Sequence, residues 1–245
     1  MAKRDRLYET VITEPVDFVF DDRVVNVFPD MINRSVPGYA TIVPMTGMLA
    51  RRYAQPDSRL YDLGCSLGAV SLAMQGAVRR SGTRIIAVDS SPDMIRRLDE
   101  ILGASNPQND VSRIETVMQD ILETEIREAS VVVLNFTLQF IEPTRRQELL
   151  GRIATGLLPG GILVLSEKIS FPDPEEQSLQ TEWHHDFKRA QGYSELEIAR
   201  KRDALENVMR PESLEQHRQR LANAGFKRVH RWYQGFNFVS MVAFR

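Results

Sequence analysis

From about residue 58 the chain alternates short apolar runs with amphipathic stretches of helical period. The first run, Arg59-Leu-Tyr-Asp62, ends acidic and passes through small residues at 64, 66 and 68. It leads to a helix carrying Val70, Ala73, Met74 and Ala77 on one face. The second, Arg84-Ile-Ile-Ala-Val-Asp89, again closes on an aspartate. Ser91 then offers an N-cap and Pro92 a first-turn proline, and Met94, Ile95, Leu98, Ile101 and Leu102 recur at helical spacing. A third strand is predicted over 114–117, followed by Gln119-Asp120-Ile121. A fourth, 131–136, is apolar almost throughout, as a strand covered on both faces must be. A helix over about 143–157 stops at Leu158-Pro-Gly-Gly161, and 162–165 makes strand five. Such alternation predicts an α/β domain on a parallel sheet with right-handed crossovers.

The flanks differ. Residues 1–56 carry apolar anchors at Phe18, Phe20, Val24, Val25, Val27 and Phe28, a turn at Ser35-Val-Pro-Gly-Tyr39, and a helix over about 40–54. This prefix is expected to pack over a ligand site as a lid, or else only to cover the sheet edge. Residues 168–210 are polar and helix-forming without a strand signal, and include His184-His185-Asp186 and Arg200-Lys201-Arg202. Pro211 is expected to open a helix with Leu214, His217, Leu221 and Ala224, with Gly225 just past its end. Two closing strands, about 227–233 and 236–244, lie too close together for a crossover helix and should form an antiparallel hairpin. The expectation is a single domain: lid 1–56, nucleoside-binding core 57–167, helical insert 168–210, terminal helix and hairpin 211–245. A seven-stranded, mostly parallel Rossmann-like sheet ending in such a hairpin resembles the class I S-adenosylmethionine-dependent methyltransferases.

Composition narrows the classes. A chain of 245 residues with 42% hydrophobic and 26% charged positions can bury a core without staples. Its net charge of −2 argues against a wholesale nucleic-acid binder. A single cysteine rules out an internal disulfide and suits a reducing cytoplasm. The start, Met-Ala-Lys-Arg-Asp, lacks the apolar core of a signal peptide, and no apolar run is long enough for a membrane span. A cytoplasmic protein is expected.

The candidate chemistry sits after strand one. Small residues at 64, 66 and 68 allow a ligand to approach the backbone at the carboxyl end of a strand, and Asp89 is placed to accept from ribose hydroxyls. The same residues also fit an ordinary strand-to-helix turn with Asp89 as a helix cap. A nicotinamide fingerprint wants glycine where Ser66 stands. The methyltransferase pattern, acidic-x-Gly-x-Gly-x-Gly, is met by Asp62, Gly64 and Gly68 and departs at the same Ser66. The Leu-Pro-Gly-Gly turn and the hairpin favour S-adenosylmethionine. Asn135-Phe136-Thr137-Leu138 is not the Asn/Asp-Pro-Pro-aromatic run of amino-methylating nucleic-acid enzymes. Cys65, in the glycine loop, reads as a small packing residue rather than a nucleophile. Adjacent His184 and His185 point in different directions on a helix, and no second ligand cluster accompanies them, so no metal is expected.

Several long, idiosyncratic stretches carry a closer resemblance. They are Val27-Phe-Pro-Asp-Met-Ile-Asn-Arg-Ser-Val-Pro-Gly-Tyr39, Tyr61-Asp-Leu-Gly-Cys-Ser-Leu-Gly68, Val132-Val-Leu-Asn-Phe-Thr-Leu-Gln-Phe140 and Leu165-Ser-Glu-Lys168. Two more are the run from His184 to Ile198 and Leu205-Glu-Asn-Val-Met209. In these, along essentially its full length, the chain resembles the carboxy-S-adenosyl-L-methionine synthase family, in which Ser66 belongs to the pattern. The resemblance implies that prephenate places a carboxyl group on the methyl carbon of S-adenosyl-L-methionine, with phenylpyruvate and water released and no metal. It further implies a homodimer, no direct nucleic-acid contact, and a product used by a separate tRNA carboxymethyltransferase on a wobble uridine. Family binding positions fall on Tyr39, Gly64, Cys65, Ser66, Asp89, Ser90, Asp120, Ile121, Asn135 and Arg202.

Within that set, Gly64 to Ser66 would pass under the amino-acid and ribose portions, and Asp89 would hold the ribose diol. Asp120 and the Ile121 backbone would address the adenine edge, and Asn135 would lie near the sulfonium. Arg202, Asn135 and Tyr39 are the candidate catalytic residues. Arg202 is expected to grip the transferred carboxylate through a guanidinium fork in a dry pocket, although Arg200-Lys201-Arg202 also fits a solvated helix face. Tyr39 is either a carboxyl-bonding phenol or a lid residue packed on the core. Two other functions fit the same sequence: a conventional small-molecule methyltransferase and a non-catalytic S-adenosylmethionine-binding subunit.

Overall fold

The structure, a computed structural model, describes residues 22–104, 112–206 and 208–245. Phe18, Phe20 and Asn207 of the expectations above lie outside them. The core alternates as the hydrophobic pattern requires: β1 (Arg59–Leu63), α4 (Ala69–Ala77), β2 (Arg84–Asp89), α5 (Pro92–Ala104), β3 (Arg113–Met118), β4 (Ala129–Asn135), α6 (Pro143–Gly156) and β5 (Leu157–Ser170). Before it come α1 (Asp22–Val25), α2 (Phe28–Ser35) and α3 (Tyr39–Tyr53). After it come α7 (Pro174–Ala190), α8 (Glu195–Glu206), β6 (Glu212–Ser213), α9 (Leu214–Asn223), β7 (Arg228–Gly235) and β8 (Phe238–Phe244).

The sheet runs β3-β2-β1-β4-β5-β8-β7. The first five strands are parallel, and β8 is antiparallel to both β5 and β7, so the expected hairpin is present. Side chains of β4 divide between two cores, as alternation along a strand requires. Val131 and Val133 join Val70 and Met74 of α4 and Leu98 of α5, whereas Val132 and Leu134 join Leu149, Leu150 and Ile153 of α6. Ser91 Oγ accepts from the Met94 N–H, so the predicted cap of α5 forms.

Two expectations are corrected. Strand five does not stop near 165 but continues to Ser170, past the point where the sequence turns polar. Its extension pairs with Glu212–Ser213 as a short eighth strand, so Pro211 does not open a helix. Instead α9 begins at Leu214, with Ser213 and Gln216 forming a reciprocal capping box. The N-terminal segment packs on the core through Val24, Val25 and Met31 against Met94, and through Val36 and Ile42 against Phe136 and Phe238.

Candidate active site

The carboxyl ends of the parallel strands open into a cavity of about 630 Å³. All ten residues singled out in the sequence line it: Tyr39, Gly64, Cys65, Ser66, Asp89, Ser90, Asp120, Ile121, Asn135 and Arg202. Helices α2, α7 and α8, the segment leaving β4 and the end of β5 supply much of the remaining wall.

The loop after β1 bends through Gly64, Ser66 and Gly68, with φ of 78°, 50° and 76°. Glycine is needed at 64 for a reason other than ligand clearance. A Cβ there would stand 2.4 Å from Cγ2 of Thr137, so the close approach is to the segment leaving β4. Ser66 adopts the left-handed conformation without being glycine, and its N–H donates to Asp89 Oδ2 at 2.8 Å. The Ser91 N–H donates to Oδ1 at 2.9 Å. One carboxylate thus joins the glycine loop to the start of α5. Burial raises its pKa, against the opposing pull of these backbone N–H groups. Each oxygen keeps capacity for a further donor.

Asp62 is buried and accepts from the N–H and Oγ of Ser71 at 3.0 and 2.7 Å, tying the end of β1 to the first turn of α4. Burial pushes its pKa up to about 6. Cys65 is buried beside it, and burial, with Asp62 and Asp89 nearby, raises the thiol well above its ordinary value. It remains a protonated packing group. Tyr39 is pushed up by burial and then by Asp62, so its phenol stays a donor; its ring lies 6.4 Å from that of Phe136. Asn135, at the end of β4, has a buried Oδ1 with no hydrogen-bond partner among the described residues. That acceptor is available to a ligand. Asp120 Oδ1 accepts from the Leu122 N–H at 2.8 Å, which holds the following backbone against the cavity.

Arg202 lines the cavity from a more open position than expected. Its side chain is 54% exposed and pairs with Asp203 at 2.9 Å, so the guanidinium is wet rather than dry in this state. Its neighbour Lys201 faces inward instead: its Nζ bonds Ser35 Oγ at 2.8 Å and Tyr193 OH at 3.2 Å. The basic run therefore splits between a buried and an exposed side chain.

Sequence reasoning missed the wall formed by Lys168, His184, Lys188 and Lys201. Lys168 follows the apolar part of β5, the position from which strand residues reach a site in such sheets. His184 and Lys188 are four apart on α7 and both buried, a one-face spacing that was the available signal. His184 Nε2 lies 2.8 Å from the Ser35 carbonyl oxygen, and burial pushes its pKa down to about 2, so the ring is neutral. The cavity is electrically two-sided. Its carboxylates, Asp62, Asp89 and Asp120, belong to β1, β2 and the loop after β3, while its amines stand toward β5, α7 and α8.

Residues 60–161 match a methyltransferase domain family. A protein of Erwinia tasmaniensis, carboxy-S-adenosyl-L-methionine synthase, is 54% identical over 245 residues, covering 100% of this chain and 98% of the relative. A Geobacter protein of the same name is 55% identical over 99% of both chains. A putative S-adenosyl-L-methionine-dependent methyltransferase from Methanococcus maripaludis superposes with a TM-score of 0.58 at 20% identity, covering 96% of this chain and 97% of that one. Human N-acetylserotonin methyltransferase in complex with S-adenosylmethionine gives 0.58 at 14% identity, covering 91% of this chain and 55% of that one. These structural likenesses share the fold. No helix among the described residues is long and apolar enough to cross a membrane.

Proposed function

The chain belongs to the carboxy-S-adenosyl-L-methionine synthase family, and on that premise we propose that it makes carboxy-S-adenosyl-L-methionine from S-adenosyl-L-methionine and prephenate. The observation that best supports this is the convergence of the ten residues on a cavity with an unspent Asn135 acceptor and a two-sided charge distribution.

Asp89 holds the ribose diol, Asp120 and Ile121 border the adenine, and Asn135 offers Oδ1 at the methionyl end. A methyl C–H bond of the sulfonium breaks to give an ylide. Prephenate loses carbon dioxide and its ring hydroxyl and becomes phenylpyruvate. The hydroxyl leaves with the methyl proton as water, and a new carbon–carbon bond joins the ylide carbon to carbon dioxide. No side chain needs to act as base. The protein supplies proximity, orientation and exclusion of water. The product then passes to a separate tRNA carboxymethyltransferase, and a cytoplasmic homodimer without direct RNA contact fits this role.

Incubation with S-adenosyl-L-methionine and prephenate is expected to yield phenylpyruvate and a nucleoside heavier by one carboxyl in place of one hydrogen, without S-adenosylhomocysteine. S-adenosylhomocysteine formed together with a methylated acceptor would establish a conventional methyltransferase. Ligand binding with neither product would establish a non-catalytic binding subunit.

Arg202 provides a second test. Two charge-assisted bonds to the new carboxylate require it to leave Asp203 and turn inward. Because the guanidinium is half-exposed, the expected loss for Arg202→Ala is about 1.5–3 kcal/mol. That is roughly ten- to a hundredfold in affinity for the carboxylated nucleoside, with a much smaller loss for S-adenosyl-L-methionine. Arg202→Lys should recover part of the difference, since an ammonium lacks the planar fork. Calorimetric titration of both ligands decides it; equal losses would exclude a specific grip on the carboxylate.

A further inference from the structure

Lys168 and Lys188, on one wall, pose an electrostatic problem that the described residues do not solve. Lys188 and Lys201 are 6% and 4% exposed, and Lys168 stands beside them at the end of β5. The side chains of Lys168 and Lys188 make no hydrogen bond or ion pair among the described residues. Acids on α8 have partners of their own: Asp203 pairs with Arg202, Glu195 with Arg189, and Glu197 accepts from Ser194. Burying ammonium groups together without a carboxylate is costly, so the arrangement fits a protein that obtains its anion from a ligand. The downward shift of the Lys188 pKa to about 7, from burial and then the two other amines, agrees with that account.

We propose that Lys168 and Lys188, backed by Lys201, bind the carboxylate that the carboxyl donor keeps, and so select a small dicarboxylic acid. The proposal rests on the function stated above, in which an acid supplies the carboxyl group. The nucleoside's own carboxylate is the competing occupant. Lys168 lies on β5, separated from the glycine loop of β1 by β4. Neighbouring strands stand about 4.8 Å apart, which puts its backbone roughly 10 Å from that loop. This offset leaves room for a second small molecule beside the nucleoside, with Arg202 addressing the carboxylate that is transferred.

The test compares the wild-type enzyme with Lys168→Met/Lys188→Met, Lys188→Met and Lys188→Arg. With prephenate turnover established in the wild type, the double variant is expected to raise KM for prephenate about ten- to a hundredfold. The S-adenosyl-L-methionine Kd should stay within about twofold, and Lys188→Arg should fall between wild type and Lys188→Met. Unchanged KM in variants that bind the nucleoside normally would overturn the proposal, as would an equal loss of both ligands. A wild type that does not turn over prephenate would refute the function without deciding the lysines. Malonate then judges them. A rise in wild-type melting temperature with malonate that the Lys188→Met variant lacks supports the site, and equal rises overturn it.

Discussion

Replacing Asp89 with alanine is expected to weaken S-adenosyl-L-methionine binding by about 10²- to 10³-fold. The Asp89 carboxylate does two jobs at once. It accepts the N–H groups of Ser66 and Ser91, and its remaining capacity faces the cavity where ribose hydroxyls would donate. Hydrogen bonds to a charged group are worth about 1.5–3 kcal/mol each, and two sharing one carboxylate lose about 3–4 kcal/mol together when it is removed. The Ser66 loop, at φ 50°, also loses the contact that holds it in the left-handed region. Asp89→Asn keeps one acceptor and should lose less. Because burial raises the Asp89 pKa, protonation begins at a higher pH than for an exposed aspartate. Affinity should therefore decline earlier on acidification, and this decline should vanish in Asp89→Ala. Calorimetry from neutral to mildly acidic pH reads both effects. A loss below about threefold would remove Asp89 from the nucleoside site.

What the sequence revealed follows from where local physics dominates. The pattern around β1, β2 and β4 was legible because strands buried on both faces must be apolar throughout, and Ser91-Pro92 announced α5 through capping. Five of the ten site residues, Tyr39, Gly64, Cys65, Ser66 and Asn135, sit in the long stretches of family resemblance; Asp89, Ser90, Asp120, Ile121 and Arg202 lie outside them and were nameable only as family positions, and all ten line one cavity. The continuation of β5 to Ser170 was not legible. Glu167 and Lys168 look like the end of a strand, yet Glu167 is fully buried by tertiary packing, with its carboxyl pushed well above the usual range by burial. The lysine wall was hidden for a related reason. Residues 168, 188 and 201 are far apart in sequence, each set in polar surroundings, and only the packing of α7 and α8 brings them together. Gly64 was read as clearing space for a ligand, and the neighbour that its missing side chain makes room for, Thr137, is a long-range contact that spacing could not show.

The cavity depends on a support that does not touch ligand, and Arg146→Ala is expected to destabilise the protein by about 3–5 kcal/mol. Arg146 on α6 is fully buried. Its Nε donates to the Ile141 carbonyl at 2.8 Å, and its Nη2 to the carbonyls of Gln139 and Arg210 at 3.1 and 2.8 Å. Its Nη1 lies 3.0 Å from Glu212 Oε2. One guanidinium thus joins the short 3-10 turn Leu138–Phe140 to the segment entering β6. That turn places Gln139, Phe140 and Ile141 on the cavity wall. Alanine leaves three carbonyls, that of Gln139 buried, without this donor and Glu167 without the cation that favours its charged form, although Arg220 still pairs with Glu212. For a chain of this length the cost corresponds to a fall in Tm of roughly 6–20 °C. Arg146→Lys keeps the charge but presents a single ammonium where several directed donors are needed, so it should recover only part. Glu167→Gln is the informative contrast. The raised pKa means that this carboxyl resists ionisation, and an amide oxygen can still accept from the Leu138 N–H at the position of Oε1. Its expected cost is below about 1 kcal/mol. Denaturant titration of the three variants, with nucleoside titration beside it, checks the scheme. A loss below about 1 kcal/mol for Arg146→Ala would mean that the turn holds without the guanidinium, and the cavity wall would then owe its shape to apolar packing alone.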